Sequence, residues 1–212
     1  MNIIFMGTPE FAVPCLEALI RDGHTVTSVF TQPDKPVGRK QVLSAPPVKQ
    51  LALAHGIPVH QPVSLKREEV VRLIAEQHPD VIAVTAYGKL LPQTVLDIPR
   101  LGCINVHASL LPRYRGAAPI QWSVINGETV TGVTTMYMAA GLDTGDMICK
   151  KEISIASDET AGELHDRLKE IGAQALSETL ELVKLGSAPR IPQNDADSCY
   201  APMLDKGLAR VN

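Results

Sequence analysis

Between Ile3 and Val106 the chain alternates short apolar runs with segments of helical period. That rhythm constrains the fold more than any other feature. It belongs to βαβ units, and a crossover helix forces the strands it joins to run parallel with both faces covered. Ile3-Ile4-Phe5-Met6 reads as a buried strand ended by Gly7. Phe11 to Asp22 reads as a helix with Val13, Leu16, Leu19 and Ile20 on one face and Gly23 closing it. Thr25 to Phe30 is predicted as the second strand, Val48 to His55 as a helix and Ile57 to His60 as a short third strand. Ser64 is placed to cap the next helix, which carries Val70, Val71, Leu73 and Ile74 and has Glu68 and Glu69 at its positive end. Val81 to Ala86 and Gly102 to Val106 are the fourth and fifth strands.

Past Val106 the rhythm changes. Thr131 to Met138 alternates like a half-exposed strand, and Asp146 to Ile155 reads as another, joined to it by a connection too short for a parallel crossover. Thr160-Ala161-Gly162-Glu163 fits a capping box opening a long helix to Leu185. The expected architecture is a three-layer α/β/α, Rossmann-like domain, with a mostly parallel sheet of about seven strands and an antiparallel strand in its C-terminal half. It is expected to span residues 1–186. After Gly186 come Pro189, Pro192, Asp195 and Asp197 with little periodicity, so residues 187–212 are expected to be a surface strap or linker.

With 212 residues, 45% of them apolar and 20% charged, the chain is large enough for one sizeable core and is not disordered. Its 20 Lys and Arg against 23 Asp and Glu give a net charge of −3, which argues against an overall electrostatic grip on nucleic acid but permits a local basic patch. Met1 to Gly7 is too short for a signal peptide and no apolar run has the length of a membrane span. A soluble, cytoplasmic protein without a membrane partner is expected, and no motif points to a protein partner. The 4 cysteines contain no C-x-x-C pair and the 6 histidines lack ligand spacing, so no metal is expected.

Three segments bear on chemistry. Gly7-Thr8-Pro9 follows the first strand where a dinucleotide fold places its phosphate loop, but Pro9 and Ala12 break the G-x-G-x-x-G fingerprint. The segment from Asp34 to Pro47 carries Lys35, Arg39 and Lys40 among prolines. It reads either as a solvated loop or as a basic arm for a polyanion. The third runs from Cys103 to Gly116. Asn105 and His107 are two apart on a strand, share a face, and lie at the strand's carboxyl end, where open α/β sheets bind ligands. A lone buried histidine is usually satisfied by backbone, whereas a paired Asn and His running into a loop points to a site. Asp143, inside Gly141-Leu142-Asp143-Thr144-Gly145, is either an ordinary turn aspartate or a partner reaching back to the histidine.

Asn105-x-His107, then Ser109 to Ile120 (SLLPRYRGAAPI), then Gly141 to Gly145 (GLDTG), together resemble the signature of formyltransferases that use 10-formyltetrahydrofolate. Phe5 to Phe11 (FMGTPEF), Thr31 to Arg39 (TQPDKPVGR) and Gln61 to Ser64 (QPVS) resemble the methionyl-tRNA branch of that family, and the resemblance runs over essentially the whole chain. It implies transfer of a formyl group from N10 of the folate to the α-amine of methionine on initiator tRNA. It further implies a catalytic trio of Asn105, His107 and Asp143. Ser109, Leu110, Leu111 and Pro112 would line the folate site, and the loop Ala86, Tyr87, Gly88, Lys89 and Leu90 would meet the pterin with its backbone. The segment with Lys35, Arg39 and Lys40 would contact tRNA, Arg39 foremost. Members of the family normally continue into a smaller C-terminal β-barrel, so a further domain beyond Asn212 is expected.

The residue types suit that chemistry. Attack by an amine on the formyl carbon turns the carbonyl oxygen into an oxyanion, which the Asn105 amide and the His107 imidazole can stabilise. Asp143 would orient the histidine and accept or relay the amine's proton. Two other readings stay open: a formyltransferase acting on a nucleotide or sugar amine, and a nucleotide-binding module without turnover.

Overall fold

Strand β1 (Asn2–Gly7) explains the three layers. Its side chains alternate: Ile3 and Phe5 enter one hydrophobic core, Ile4 and Met6 the other, and all four are fully buried. A strand apolar on both faces needs helices on both. The computed structural model describes residues 1–38 and 41–209. In chain order β1 leads to α1 (Val13–Arg21), β2 (Thr25–Phe30), β3 (Lys35–Val37), β4 (Val42–Ser44), α2 (Pro47–Ala54) and β5 (Val59–His60). Then come α3 (Glu68–Ala75), β6 (Val81–Thr85), α4 (Gln93–Leu96), β7 (Cys103–His107), β8 (Arg115–Gly116) and α5 (Pro119–Ile125). The chain finishes with β9 (Val130–Tyr137), β10 (Met147–Ser154), α6 (Ala161–Lys184) and β11 (Tyr200–Ala201).

Seven strands form the main sheet in the order β10-β9-β7-β6-β1-β2-β5. All neighbours from β7 to β5 are parallel, while β9 runs against both β7 and β10. The mixed sheet expected from the sequence is therefore present, with a single reversed strand. The larger core joins β1 and β7 to Leu16 and Leu19 of α1 and to Leu164, Leu168, Leu176 and Leu180 of α6. The burial of each such side chain contributes about 1.5–3 kcal/mol. The second core lies under Val70 and Ile74 of α3 and Val95 and Leu96 of α4. Helix α6 opens with the expected capping box, Thr160 accepting from the Glu163 N–H and Glu163 from the Thr160 N–H.

Several expectations need correction. Ser64 does not cap α3; its hydroxyl accepts from the Lys66 N–H, and Arg67 stands at the helix start without a side-chain cap. The segment from Asp34 to Pro47 is not only loop. Strands β3 and β4 pair antiparallel, Lys35 opposite Ser44 and Pro36 opposite Leu43. The ribbon's base is pinned where Lys49 Nζ and Gln61 donate to Asp34, which holds the Asp34 carboxyl below its usual range. Helices α4 and α5, too short to show a period, are additions. The segment after Gly186, expected as a surface strap or linker, is hydrogen-bonded onto the domain. Ile191 bridges Met147, Tyr200 and Ala201 pair with Arg115 and Gly116, and Trp122 Nε1 donates to the Pro202 carbonyl.

Candidate active site

The carboxyl ends of β1, β6 and β7 open into a cavity of about 630 Å³. Pro9 and Phe11 beyond β1, Ala86 to Leu90 beyond β6, Asn105 to Ala108 along β7, and Leu142 and Asp143 between β9 and β10 all line it. The position follows from topology. The chain leaves β1 in one direction to β2 and β5 and in the other to β6 and β7, and open α/β sheets bind ligands where strand order reverses.

Along β7, Ile104 and Val106 point into the larger core and Cys103 into the second one, so Asn105 and His107 share the Cys103 face. Both are buried, at 9% and 6% exposure. The Asn105 amide makes no hydrogen bond to any described residue and borders the cavity. His107 is held from behind, with Nε2 2.8 Å from the Tyr114 carbonyl oxygen. A carbonyl only accepts, so Nε2 carries a hydrogen, and Nδ1 is the nitrogen left for Asp143, whose Oδ2 lies 3.7 Å away. The same Oδ2 accepts from the Gly116 N–H at 2.9 Å. Position 116 requires glycine: its φ is +119°, and a Cβ would meet the Tyr200 ring at 2.6 Å and the Ala201 carbonyl at 2.7 Å.

Tyr114 in turn is braced. Its hydroxyl donates to Glu128 Oε1 at 2.5 Å and accepts from Asn126 Nδ2 at 3.0 Å, while Arg113 donates to the same carboxylate. The Tyr114 hydrogen bond, helped by Arg113, holds the Glu128 carboxyl below its usual range against the opposing effect of burial. Burial and the Glu128 carboxylate push the Tyr114 hydroxyl up.

The loop after β6 is anchored through the Tyr87 carbonyl, which accepts from Thr8 Oγ1 and from Gln32 Nε2, each at 3.1 Å. Thr8 thus serves the neighbouring loop. Burial pushes the Tyr87 hydroxyl up to about 12 and lowers the Lys89 ammonium, which donates to the Pro62 and Val63 carbonyls.

The expected residues divide in three. Asn105, His107 and Asp143 converge on the cavity, and Ala86, Tyr87, Gly88, Lys89 and Leu90 line it. Ser109, Leu110, Leu111 and Pro112 do not line it. Ser109 and Leu111 are fully buried and the segment is tied to β9 through Thr134, whose hydroxyl donates to the Ser109 carbonyl and accepts from the Leu111 N–H. Leu110 and Pro112 are half-buried, and the Ser109 hydroxyl donates to the Arg113 carbonyl in the turn that presents the Tyr114 carbonyl. Of the basic residues, Lys35 is exposed on β3 beside a smaller cavity of about 210 Å³ lined by Thr8, Gln32 and Ser44. Arg39 and Lys40 lie outside the described residues.

Tyr114, Gly116, Gln32, Tyr200 and Met203 were given no role by the sequence, although Gly116 lines the cavity and Tyr200 and Met203 line it from the segment read as a strap. A conformational signal marks the region. Ala86, Tyr114 and Asp143 have φ of +46°, +59° and +52°, and with Gln41 and His78 they are the non-glycine residues described in this strained region. Among the described residues no group of three His, Cys, Asp or Glu side chains is placed to hold a metal ion, and no helix is long and apolar enough to cross a membrane. The four cysteines are free, and burial pushes the Cys15 and Cys103 thiols up to about 12.

The family profile described as Formyl transferase matches residues 1–180. A methionyl-tRNA formyltransferase of Alkaliphilus oremlandii is 58% identical over 212 residues, 100% of this chain and 68% of the relative. One of Clostridioides difficile is 54% identical over the same length, covering 69% of that protein. Among solved structures, a sugar N-formyltransferase from Shewanella superposes with a TM-score of 0.75 at 20% identity, covering 100% of this chain and 81% of that one. Phosphoribosylglycinamide formyltransferase from Bacillus halodurans gives 0.71 at 24% identity over 87% of this chain and 97% of its own. At these identities the two structures bear on the fold alone.

Proposed function

The chain belongs to the formyl transferase family, and from that membership we propose that it moves a formyl group from 10-formyltetrahydrofolate to the α-amine of methionine esterified to initiator tRNA. The observation that carries the reading is the convergence of Asn105, His107 and Asp143 on one cavity, in a chain 58% identical along its whole length to a relative of that name. The cavity, at about 630 Å³, falls in the range that buries a cofactor-sized molecule. The loop Ala86–Leu90 offers backbone groups to the pterin, with the Ser109–Pro112 turn supporting the histidine from behind. Lys35, Arg39 and Lys40 supply cations for tRNA phosphates.

In this reading the amine attacks the formyl carbon without a covalent enzyme intermediate. The N–C bond forms as the carbonyl π pair moves onto oxygen, and the C–N10 bond breaks when that pair returns, N10 leaving with the bond pair and taking up the proton the amine gave to Asp143. The Asn105 amide is free to donate to the oxyanion, because no group among the described residues occupies it. His107 donates through Nδ1, since its Nε2 hydrogen is committed to the Tyr114 carbonyl. A ring donating from both nitrogens is an imidazolium, and Asp143 at 3.7 Å is its counter-charge and the acceptor for the proton the amine loses. Holding both substrates in line supplies the remaining acceleration.

The test is a formyl-transfer assay with formyl-folate and, in parallel, methionyl-tRNA, an amino sugar nucleotide and a phosphoribosyl amine. Turnover with methionyl-tRNA supports the reading. Turnover with a small amine alone would replace it by a sugar or nucleotide formyltransferase, and folate binding with no turnover by a binding module.

A further inference from the structure

We propose that Gln193 is a positioning residue, which holds the backbone that aims Asp143 at His107 and thereby makes the segment after α6 part of the catalytic apparatus. The proposal rests on the formyl-transfer reading. Gln193 is not among the residues bordering the cavity, so it acts through others. Its Nε2 donates to the carbonyl oxygens of Asp143 and Gly145, each at 2.8 Å, and its Oε1 accepts from Arg115 Nε at 3.0 Å. One side chain therefore spans the turn around Asp143 and grips the strand opposite.

That grip has a reason. Asp143 stands at φ +52°, where its own Cβ crowds the backbone, and such a conformation persists only when neighbours over-determine it. The carboxylate end is fixed by the Gly116 N–H, and Gly116 directly follows Arg115. Gln193 thus ties the backbone carrying the carboxylate to the strand that receives it. Arg115 is itself held, with a side chain 12% exposed, Nη2 donating to Asp195 Oδ1 at 2.8 Å and its N–H donating to the Cys199 carbonyl. Without the Gln193 amide the Asp143 and Gly145 carbonyls go without these donors, and the restraint that opposes relaxation of Asp143 out of the left-handed region is weakened.

The experiment compares Gln193→Ala and Gln193→Glu, each alone and with Asp143→Asn. Gln193→Glu keeps an acceptor for Arg115 but removes both donors to the turn. The expected result is a kcat lowered on the order of 10-fold or more in either single variant, as for misplacement of a catalytic group. KM for folate and for methionyl-tRNA should stay within about twofold. In the Asp143→Asn background, adding Gln193→Ala should change kcat by less than about twofold, because the effect travels through Asp143. A second readout needs no turnover: in the free protein, followed by NMR, the His107 imidazole titration should move in Gln193→Ala in the same direction as in Asp143→Asn. Effects that multiply in the double variant, or a melting temperature that falls while the His107 titration stays where it was, would overturn the proposal. A wild-type protein inactive on methionyl-tRNA would refute the proposed function instead, and the NMR comparison would still decide the role of Gln193.

Discussion

Truncating Asn105 separates catalysis from folding more cleanly than any other change at the site. Asn105 is 9% exposed, and its amide makes no hydrogen bond to a described residue. Asn105→Ala therefore strands no partner, and its effect on stability should stay within about 1 kcal/mol, a shift in Tm of about 2–4 °C for a chain of this size. If the amide donates to the oxyanion, its removal should lower kcat by roughly 10²–10³, or about 2.7–4 kcal/mol of transition-state stabilisation. His107→Ala should cost at least as much in rate, but it also deprives the Tyr114 carbonyl of its donor, adding about 1–3 kcal/mol of destabilisation if that group is left unsatisfied. The assay is steady-state formyl transfer at saturating folate and methionyl-tRNA, with a thermal melt of each variant. An Asn105→Ala protein with kcat within about threefold of wild type and a markedly lower Tm would show the amide to be structural and refute the assignment.

Asp143→Asn keeps the shape of the side chain and removes its charge, so it should lower kcat and flatten the pH dependence of kcat/KM; a profile that only scales down would argue against proton transfer through Asp143. Glu128 has a depressed folded-state pKa, caused first by the Tyr114 hydroxyl and then by Arg113, so its stabilisation is fully present above the ordinary glutamate range and is lost as pH falls through the folded value. The Tm gap between wild type and Glu128→Gln should accordingly be widest near neutrality and close in acid; a gap constant across the titration would refute this. Arg39→Ala should raise KM for methionyl-tRNA far more than for folate and make the salt slope shallower by about one unit for each phosphate it no longer neutralises. Equal losses for both substrates would make the basic segment a cover over the pocket rather than a tRNA grip.

The order of strands and helices was legible in the sequence because burial has a period. Ile3 to Met6 is apolar at every position, and that pattern fits only a strand covered on both faces, as β1 is. The two-residue spacing of Asn105 and His107 was equally informative, since alternation puts both on the Cys103 face whatever surrounds them. Glycines around Asp143 announced a turn. Short elements were not legible: α4 has four residues and the β3–β4 ribbon three in each strand, too few to show a period. Nor did the polar run after Gly186 reveal that it bounds the cavity through Tyr200 and Met203, because it docks on residues some eighty positions earlier, as in the pairing of Tyr200 with Arg115.

Periodicity reports which side of an element is buried and is silent on which carbonyl meets which nitrogen. That the Tyr114 carbonyl occupies Nε2 of His107, leaving Nδ1 for Asp143, depends on a turn seven residues downstream adopting a positive φ. That Asp143 reaches His107 at all depends on Gly116 and Gln193 closing in from separate segments. Sequence alone determined the sheet, its parallel and reversed strands, and the residue types available for formyl transfer. Tertiary structure decided which atoms of those residues face the cavity, because hydrogen bonds between distant segments set orientation and no local pattern encodes them.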